Sequence, residues 1–371
     1  MSPQQFIQQR LAQRQHKGNY RQLKTENNLI DFSSNDYLGF ARSVDLKELV
    51  NQELLNHPHH FNGSTGSRLL KGNTAYAEEL ESYIAQYHNT EAALLFNSGY
   101  DANLGLLSSL PQRGDTVIHD ELAHASIIDG IRLSYANRYS FKHNNLNELE
   151  TKLKQAKGNC YIVVESVYSM DGDIAPLTEL CILASQYNAA LVVDEAHAIG
   201  VFGKGLVDKL NLQEEIFARI ITYGKAMGCH GAAILGSKKL SDYLINFARS
   251  FIYTTASPFH QLATIKMAYK LLNSASEHIN NLQANITHFN AQMGTHAAAY
   301  SSAIKTIIVN GNLRTKRAAA HLQNTGLDVR PILSPTVAVG TERLRICLHS
   351  YNTPAQIDAL VNALKYLDNN E

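Results

Sequence analysis

The stretch YIVVESVYSMDGDIAPLTELCILASQYNAALVVDEAHAIG (161–200) decides the fold of this chain. It opens on YIVVE (161–165) and closes on ALVVD (190–194), two apolar runs of the kind found in strands that are buried on both faces. Between them, PLTELCILASQYN (176–188) carries apolar residues at helical spacing. A strand, a helix and a second strand in this order predict a parallel β–α–β unit.

Similar patterns extend outward from this unit in both directions. Further strands are predicted at AALLF (92–96), TVIH (116–119), RIIT (219–222) and AAILG (232–236), and a helix at LNELETKLKQA (146–156). The alternation predicts an α/β fold whose large domain contains a mostly parallel sheet.

The C-terminal third has a different pattern. A long helical stretch, or two helices, is predicted around 258–294, and it is followed by strands and helices that indicate a smaller α+β domain. Its predicted elements are SAIKTIIVNG (302–311), a helix near 313–325, VRPILSP (329–335), RLRICL (343–348) and a helix near 354–368. The predicted organisation is an N-terminal segment (1–40), a large domain (41–275) and a small C-terminal domain (276–371).

Composition excludes several classes of function. The 371 residues include 33 Lys plus Arg and 33 Asp plus Glu, so nothing favours nucleic acid or an anionic membrane as the main partner. No apolar run approaches the roughly 20 residues needed to span a bilayer. The polar N-terminus lacks a signal-peptide core, and Phe6, Ile7 and Leu11 form one stripe of a short predicted helix. The 4 cysteines are dispersed without a C-x-x-C pair, which argues against disulfides and zinc and predicts a cytoplasmic protein.

Polar residues follow the ends of three predicted strands. Glu165 and Ser169 follow the first, Asp194 and His197 the second, and Thr222 and Lys225 the third. In open α/β sheets, ligands bind beyond the carboxyl ends of the strands. We therefore expect these side chains to converge on one site.

The sequence DEAH (194–197) also resembles a helicase box, in which the acidic pair serves a nucleotide-bound metal. That function needs a phosphate-binding G-x-x-x-x-G-K-[ST] sequence upstream. The chain has none, because Lys204 is followed by Gly205 and Lys225 by Ala226. The helicase interpretation is excluded.

Pyridoxal-phosphate (PLP) chemistry explains the same residues. A carboxylate such as Asp194 can pair with a protonated pyridine nitrogen and keep the ring an electron sink. A lysine such as Lys225 can form an imine with an aldehyde, provided that it spends time as a neutral amine. The turn NSGY (97–100) after a strand can present backbone N–H groups to a phosphate.

Motifs along nearly the whole chain carry a family resemblance. The chain resembles the fold-type-I PLP-dependent transferases and, within them, the α-oxoamine synthases. The matching stretches are DFSSNDYLGF (31–40), GSTGSRLLKG (63–72), LLFNSGYDAN (94–103), ELAHASIIDGIRLS (121–134), ESVYSMDGDIAPL (165–177), VVDEAHAIGVFG (192–203), TYGKAMGCHGAAI (222–234), FIYTTASP (251–258) and RPILSPTVAVGTERLRICL (330–348).

The resemblance implies roles for individual residues toward the cofactor. Lys225 matches the lysine that binds PLP, and Asp194 the residue that pairs with the pyridine nitrogen. His197 matches the contact to the ring hydroxyl, and His124 the imidazole stacked over the ring. Lys225, His124, Asp194 and His197 are thus the candidate catalytic residues. The other implied cofactor contacts are Ser98, Gly99, Tyr100, Ser169, Thr222 and, from the partner subunit of a homodimer, Thr254.

It also implies the substrate contacts. Arg345 matches the arginine that binds the substrate carboxylate, with Arg343 as the alternative. Asn35 and Arg21 match residues on the side of the substrate and the acyl-CoA.

The activity that the resemblance implies is a decarboxylative condensation between a small amino acid and an acyl-CoA. The short N-terminus, SAIKTIIVNGN (302–312) and PTVAVGTERLR (335–345) favour the branch that joins L-alanine to a pimeloyl thioester in biotin biosynthesis. Glycine with succinyl-CoA or acetyl-CoA, and serine with a long acyl-CoA, stay open. So do a plain aminotransferase and, from another class, a PLP-fold scaffold without catalysis.

Some residues have a simpler interpretation or depart from the family pattern. The cluster HPHH, with His57, His59 and His60, favours a polar loop over a metal site. Glu165 is either catalytic or a strand-end carboxylate bound to backbone. The departures concern substrate choice more than cofactor binding, and they are Thr65, Ala198, Ile199 and His230.

Overall fold

A computed structural model of the chain describes residues 1–25, 28–294 and 300–370. The chain divides into two compact units. The larger unit comprises Asp36–Ser169 and Asp173–Asn280, and the smaller comprises Met1–Asn35, Met170–Gly172 and Asn281–Glu371. The three-part domain division made from the sequence stays a prediction.

The described strands are, in chain order, β1 (Ile30–Asp31), β2 (Ala92–Phe96), β3 (Thr116–Asp120), β4 (Asn137–Phe141), β5 (Cys160–Glu165), β6 (Ala189–Asp194), β7 (Ala218–Thr222), β8 (Ala232–Gly236), β9 (Ile304–Ile308), β10 (Leu327–Asp328), β11 (Arg330–Ile332) and β12 (Arg343–Cys347). The described α-helices are α1 (Pro3–His16), α2 (Val44–Asn56), α3 (Ala75–Tyr87), α4 (Gly99–Ser109), α5 (Ala125–Leu133), α6 (Leu146–Leu153), α7 (Leu177–Gln186), α8 (Leu206–Lys209), α9 (Lys238–Phe247), α10 (Arg249–Ile252), α11 (Phe259–Leu272), α12 (Ser276–Met293), α13 (Asn312–Asn324) and α14 (Pro354–Asn370).

The larger unit is built on a seven-stranded sheet with the order β2-β8-β7-β6-β5-β3-β4. Strands β3 to β7 are parallel to their neighbours in that group, whereas β8 runs antiparallel to both β7 and β2. Residues 223–231 are too few for the helical crossover that a parallel connection needs, so the chain turns back after β7. The prediction of an α/β fold with a mostly parallel sheet is confirmed.

The core of this sheet explains why its strands could be recognised. Every residue of β5 and β7 is buried. Val163, Val192 and Ile220 lie in one apolar cluster with Leu106 of α4 and Ile127 of α5. Fully burying a side chain of this size contributes about 1.5–3 kcal/mol. The apolar runs are therefore the central strands that helices cover.

The smaller unit contains a three-stranded antiparallel sheet, β11-β12-β9, and a two-stranded parallel sheet, β1-β10. In β12 all five positions are buried. The predicted stripe of Phe6, Ile7 and Leu11 lies on α1, and all three side chains are exposed. Among the helices that the structure describes, none is both long enough and apolar enough to cross a bilayer.

Candidate active site

The larger unit has a cavity of about 260 Å³ at the carboxyl ends of β5, β6 and β7. We call it the main cavity. Most of the residues proposed to contact the cofactor line it. Its lining residues are Ser98, Gly99, Tyr100, Asn103, His124, Ser126, Glu165, Asp194, Ala196, His197, Thr222, Gly224, Lys225, His230 and Gly231.

Asp194 is the last residue of β6, and its carboxylate is held in place from two sides. Its Oδ1 accepts from the backbone N–H of Ala196 at 2.9 Å, and its Oδ2 accepts from the Asn103 side chain at 2.8 Å. The side chain is 5% exposed. A buried carboxylate with one orientation suits a fixed cationic partner such as a protonated ring nitrogen.

Lys225 lies in the connection between β7 and β8. The backbone N–H of Gly228 donates to the Lys225 carbonyl at 2.9 Å, and that of Cys229 donates to the Tyr223 carbonyl at 2.7 Å. These two bonds close a tight loop around the lysine. The half-buried Lys225 is thus held at the main cavity by a short, hydrogen-bonded segment.

The start of α4 forms a cradle for an anion. Ser98 caps the helix, because its hydroxyl accepts from the backbone N–H of Asp101 at 3.1 Å. A Cβ atom on Gly99 would lie 2.5 Å from Cγ2 of Thr222, so only glycine allows this approach to β7. The first N–H groups of a helix and its dipole favour an anion at this position.

His124 occupies the position that precedes α5. Its Nδ1 accepts from the backbone N–H of Ser126 at 3.2 Å and lies 2.7 Å from the Ser126 hydroxyl. The ring opens to the main cavity, and desolvation by the cavity walls lowers the pKa of His124. The ring is therefore a neutral imidazole at pH 7, as a side chain stacked on an aromatic cofactor would be.

Glu165, at the end of β5, is a neutral acid in this site. It pairs in register with Asp194. Burial and the Asp194 charge raise the pKa of Glu165 to about 8, although backbone N–H groups of His124 and Ser169 oppose the shift. Its Oε1 has no hydrogen-bond partner among the described residues. The side chain therefore carries both a proton and an unused oxygen at the main cavity.

His197 is oriented by a residue on another segment of the larger unit. The Tyr37 hydroxyl lies 2.8 Å from Nδ1 of His197, and both side chains are buried. The contact fixes the orientation of the His197 ring.

Glu195, the second residue of the DEAH sequence, does not line the main cavity. Its Oε2 accepts from Nε and Nη2 of Arg219 at 2.9 and 2.6 Å, and its Oε1 accepts from the backbone N–H of Val207 at 3.0 Å. Both charged side chains are buried. Glu195 is therefore part of a core ion pair.

Two of the proposed cofactor contacts are not in the lining of the main cavity. Ser169 does not line the main cavity, and its backbone donates to Glu165. Thr254 lines a second, small cavity, where its hydroxyl accepts from the Asn97 side chain at 3.0 Å. The contact of Thr254 with a partner subunit's cofactor stays a prediction.

The proposed substrate residues belong to the smaller unit. Nη2 of Arg345 donates to Oδ1 of Asn35 at 3.0 Å, so these two residues are brought together. Arg343 instead forms an ion pair with Asp171. Arg21 is exposed, donates to the Thr336 hydroxyl at 3.1 Å and lines a different cavity of this unit.

The histidines of HPHH lie on the larger unit, where His57 and His60 contact neighbouring side chains. His57 is 3.6 Å from the Glu53 carboxylate, and the His60 ring stacks on Phe259 at 3.7 Å between centroids. His59 is exposed. In the part of the chain that the structure describes, no three His, Cys, Asp or Glu side chains are grouped to hold a metal ion.

Three residues of the site escaped the sequence reasoning. Asn103 and Ser126 line the main cavity, and Tyr37 orients His197. Asn103 follows Gly99 by four residues and so lies on the same face of α4, which is a signal that the spacing could have given. Ser126 and Tyr37 lie inside quoted motifs, yet nothing local marks them.

The main cavity fits PLP by its own chemistry. The α4 cradle and the Thr222 hydroxyl, whose Oγ1 is buried without a hydrogen-bond partner among the described residues, suit the phosphate and ring oxygens. Asp194 suits the pyridine nitrogen, His124 the ring face and Lys225 the aldehyde carbon.

Comparisons with known proteins agree with this fit. The family model described as aminotransferase class I and II matches residues 27–364. The curated 8-amino-7-oxononanoate synthase of Emericella nidulans is 43% identical over 364 residues, which cover 90% of this chain and 88% of that protein.

Two solved structures are similar over nearly the whole chain. The 8-amino-7-oxononanoate synthase of Francisella tularensis has a TM-score of 0.79 and 30% identity, over 93% of this chain and 98% of that one. A serine palmitoyltransferase from S. paucimobilis with PLP and myriocin bound has a TM-score of 0.90 and 25% identity, over 100% and 99%. This chain therefore belongs to the aminotransferase class I and II family and, within it, to the α-oxoamine synthases, which are PLP-dependent acyltransferases.

Proposed function

We propose that this enzyme condenses L-alanine with pimeloyl-CoA, or another pimeloyl thioester, to give 8-amino-7-oxononanoate in biotin biosynthesis. The observation that carries the proposal is the 43% identity to a curated 8-amino-7-oxononanoate synthase across 90% of the chain. In the reaction, a carbon–carbon bond forms between the alanine α-carbon and the acyl carbon. The thioester bond breaks and CoA leaves as a thiol, while the alanine carboxylate is lost as CO₂ and a proton takes its place.

Asp194 and His197 hold the cofactor in its reactive state. Bound PLP supplies an electron sink for the amino acid's α-carbon. The Asp194 carboxylate, fixed by Asn103 and Ala196, keeps a proton on the ring nitrogen. His197, whose ring is oriented by Tyr37, would contact the ring hydroxyl.

Lys225 moves protons at the substrate. With the cofactor bound, the Nζ of Lys225 would hold it. The same Nζ would remove the proton from the amino acid's α-carbon and later return one. The tight loop around it holds the Lys225 backbone in place at the main cavity. Glu165, neutral at pH 7, adds no second negative charge beside Asp194.

Arg345 binds the amino acid's carboxylate, and Asn35 holds the guanidinium in position. Arg345 is assigned this role by its position in the family motif, and Arg343, which forms an ion pair with Asp171, is the alternative. Arg21 contributes on the side of the acyl-CoA. Thr254 reaches the phosphate of the partner's site, so the proposal includes a cytoplasmic homodimer with shared active sites.

A second candidate is the condensation of serine with a long acyl-CoA. The TM-score of 0.90 to a serine palmitoyltransferase favours it, although the identity to that protein is only 25%. The two functions differ in both substrates, so one experiment separates them.

The test measures release of CoA thiol by the purified, PLP-loaded enzyme. L-Alanine, glycine and L-serine are each combined with pimeloyl-CoA, succinyl-CoA, acetyl-CoA and palmitoyl-CoA. We expect alanine with pimeloyl-CoA to give the highest kcat/KM and 8-amino-7-oxononanoate by mass spectrometry. A preference for serine with palmitoyl-CoA would establish the second candidate. Amino transfer to a keto acid without CoA release would identify a plain aminotransferase.

The cofactor assignment has its own control. Borohydride reduction followed by peptide mapping should attach PLP to Lys225. Lys225→Ala should abolish the attachment, whereas Lys238→Ala should not, since Lys238 lies on α9 and forms an exposed ion pair with Asp242. Attachment that survives Lys225→Ala would contradict the central assignment. Absence of CoA release with every amino acid tried would revive the scaffold interpretation.

Sharing of the sites is tested by mixing two inactive variants. Suppose that each site uses Lys225 of one subunit and Thr254 of the other. A hybrid dimer of one Lys225→Ala subunit and one Thr254→Val subunit then has one site in which both residues are native. We expect activity to return on mixing. Hybrids that stay inactive would show that the two residues serve the same subunit's site.

A further inference from the structure

We propose that Asn103 and Ser126 form a hydrogen-bonded relay that fixes the carboxylate of Asp194 and the proton of His124 together. The two residues act as positioning residues. The inference rests on the proposed function, which gives Asp194 and His124 their contacts with the cofactor. It goes beyond that function by explaining why both contacts are held in one arrangement.

The first half of the relay has a defined direction. Nδ2 of Asn103 lies 2.8 Å from Oδ2 of Asp194 and 3.0 Å from the Ser126 hydroxyl oxygen. An ionised carboxylate only accepts hydrogen bonds, so the amide nitrogen and not its oxygen must face Asp194. The second hydrogen of the same nitrogen then donates to Ser126.

The second half follows from the first. The Ser126 hydroxyl has one hydrogen, and its oxygen already accepts from Asn103. The backbone N–H of Ser126 donates to Nδ1 of His124 at 3.2 Å, so this nitrogen is an acceptor. The Ser126 hydroxyl, whose oxygen lies 2.7 Å from the same nitrogen, therefore donates to it as well. A nitrogen that accepts from two donors carries no proton. The His124 proton must consequently lie on Nε2.

Packing holds the relay at this length. Asn103 lies on α4, Ser126 on α5 and Asp194 at the end of β6, and Asn103 and Ser126 are 1% and 0% exposed. A Cβ atom on Gly130 would lie 2.9 Å from both the Asn103 carbonyl oxygen and Cβ of Leu107, so α5 can approach α4 this closely only with glycine there. Water cannot easily replace either side chain at this depth.

The relay couples two faces of the cofactor site. One end holds the carboxylate that would pair with the ring nitrogen, and the other holds the imidazole that would cover the ring. Because Ser126 keeps Nδ1 unprotonated, His124 stays a neutral ring with its Nε2–H directed away from the relay. Its charged or titratable neighbours include Asp194, Lys225 and Asp129, and its backbone N–H donates to Glu165. Without the relay, the His124 proton should distribute between Nδ1 and Nε2, and the Asp194 carboxylate should lose its fixed orientation.

The test uses Ser126→Ala and Asn103→Leu in the PLP-loaded enzyme. Nitrogen-15 NMR of the histidines should show a single Nε2–H tautomer for His124 in the native enzyme. In Ser126→Ala, where only the backbone N–H of residue 126 still donates to Nδ1, the Nε2–H tautomer should lose part of its population to the Nδ1–H form. The dissociation constant for PLP should rise about 3- to 10-fold in Ser126→Ala, as for a lost neutral hydrogen bond, and about 10- to 100-fold in Asn103→Leu, whose bond is to an ion.

Matched variants separate the relay from general damage to α5. Ser134→Ala removes a hydroxyl that donates to the Ile131 carbonyl at 2.8 Å at the other end of the helix, and it should change neither reading. Ser126→Thr keeps a hydroxyl and should preserve the tautomer.

A native His124 with its proton on Nδ1, or a tautomer unchanged in Ser126→Ala, would overturn the relay. These readings need only bound PLP. An enzyme that showed them but failed to condense alanine would refute the proposed reaction and leave the relay standing.

Discussion

Replacing Glu195 with Gln tests whether the DEAH sequence serves chemistry or the core. Glu195 and Arg219 are 0% and 2% exposed as side chains, and the carboxylate uses both oxygens. Gln would keep the volume and lose the charge. Its single amide oxygen could serve either Arg219 or the backbone N–H of Val207, and its NH₂ group would face the remaining donor.

The structure sets the size of the effect. Removing one partner of a buried ion pair costs about 3–5 kcal/mol, because the other charge is left uncompensated. Arg219 would retain neutral acceptors, the carbonyls of His88 at 3.4 Å and Lys204 at 3.2 Å. We therefore expect Glu195→Gln to lower the free energy of unfolding by about 3 kcal/mol, the lower end of that range.

The assay is urea unfolding followed by far-UV circular dichroism, since the chain contains no Trp for fluorescence. The transition midpoint should fall without a change in slope. Asp242→Asn is the control, because it breaks the exposed Lys238–Asp242 pair of equal length, 2.6 Å, and should have no measurable effect. In Glu195→Gln/Arg219→Met the loss should be smaller than the sum of the single losses.

A loss below about 1 kcal/mol, the scale of an exposed pair, would refute the role of Glu195 as one half of a core ion pair. It would equally be refuted if Glu195→Gln weakened PLP binding while leaving the unfolding transition in place. That second result would assign Glu195 to the active site.

Three further predictions concern other groups. The pKa of Glu165 is raised from 4.5 in the unfolded chain to about 8 in the folded protein, so the free energy of unfolding of the cofactor-free protein should fall by about 1.4 kcal/mol per pH unit between those values. Glu165→Gln should remove most of this pH dependence in urea titrations. An unchanged pH dependence would show that Glu165 ionises normally. Burial alone would lower the pKa of His143, but hydrogen bonds to Asp120 and Asp173 at 2.9 and 2.5 Å raise this pKa to about 10. The contribution of protonated His143 to the free energy of unfolding is therefore full below about pH 6.5 and is lost as the pH rises through 10. His143→Gln should cost about 3–5 kcal/mol at neutral pH and lose that pH dependence, and a neutral effect would contradict the ion-pair assignment. In steady-state kinetics, Arg345→Lys should raise the KM for the amino acid about 10- to 100-fold with little change in the KM for the acyl-CoA, because lysine cannot bind a carboxylate through two parallel hydrogen bonds. The same effect from Arg343→Lys alone would assign carboxylate binding to Arg343 instead.

The local hydrophobic pattern predicted the central strands of the seven-stranded sheet but not the strand at its edge. Strands β5, β6 and β7 were recognisable because burial on both faces demands continuous apolar runs. Strand β4 was missed, since four of its five residues are exposed at the sheet edge and its sequence, NRYSF, is mostly polar. Strands β1 and β10 have two residues each, too few for any period to show.

Some residues of the candidate active site could likewise be predicted from the sequence, and others could not. Asp194 and Lys225 could be inferred because their positions at strand ends carry the information. Asn103 and Ser126 could not, since neutral polar residues in helices acquire meaning only when two helices bring them together. Glu195 lies beside Asp194 in the chain, and only the neighbouring strand reveals that Arg219 balances its charge.

The parallel pairing of β1 with β10 has a consequence for the order in which the protein can be completed. Ile30 pairs with Leu327 and Asp31 with Asp328. At synthesis rates of about 5–20 residues per second, the first of these segments leaves the ribosome about 15–60 s before its partner exists. Residues 98 to 225, which supply the lining of the main cavity apart from His230 and Gly231, are all made during that interval. The main cavity can thus form before the strand that pairs with β1 has been synthesised. PLP present during translation could bind to a nearly complete cavity before the sheets of the smaller unit have formed.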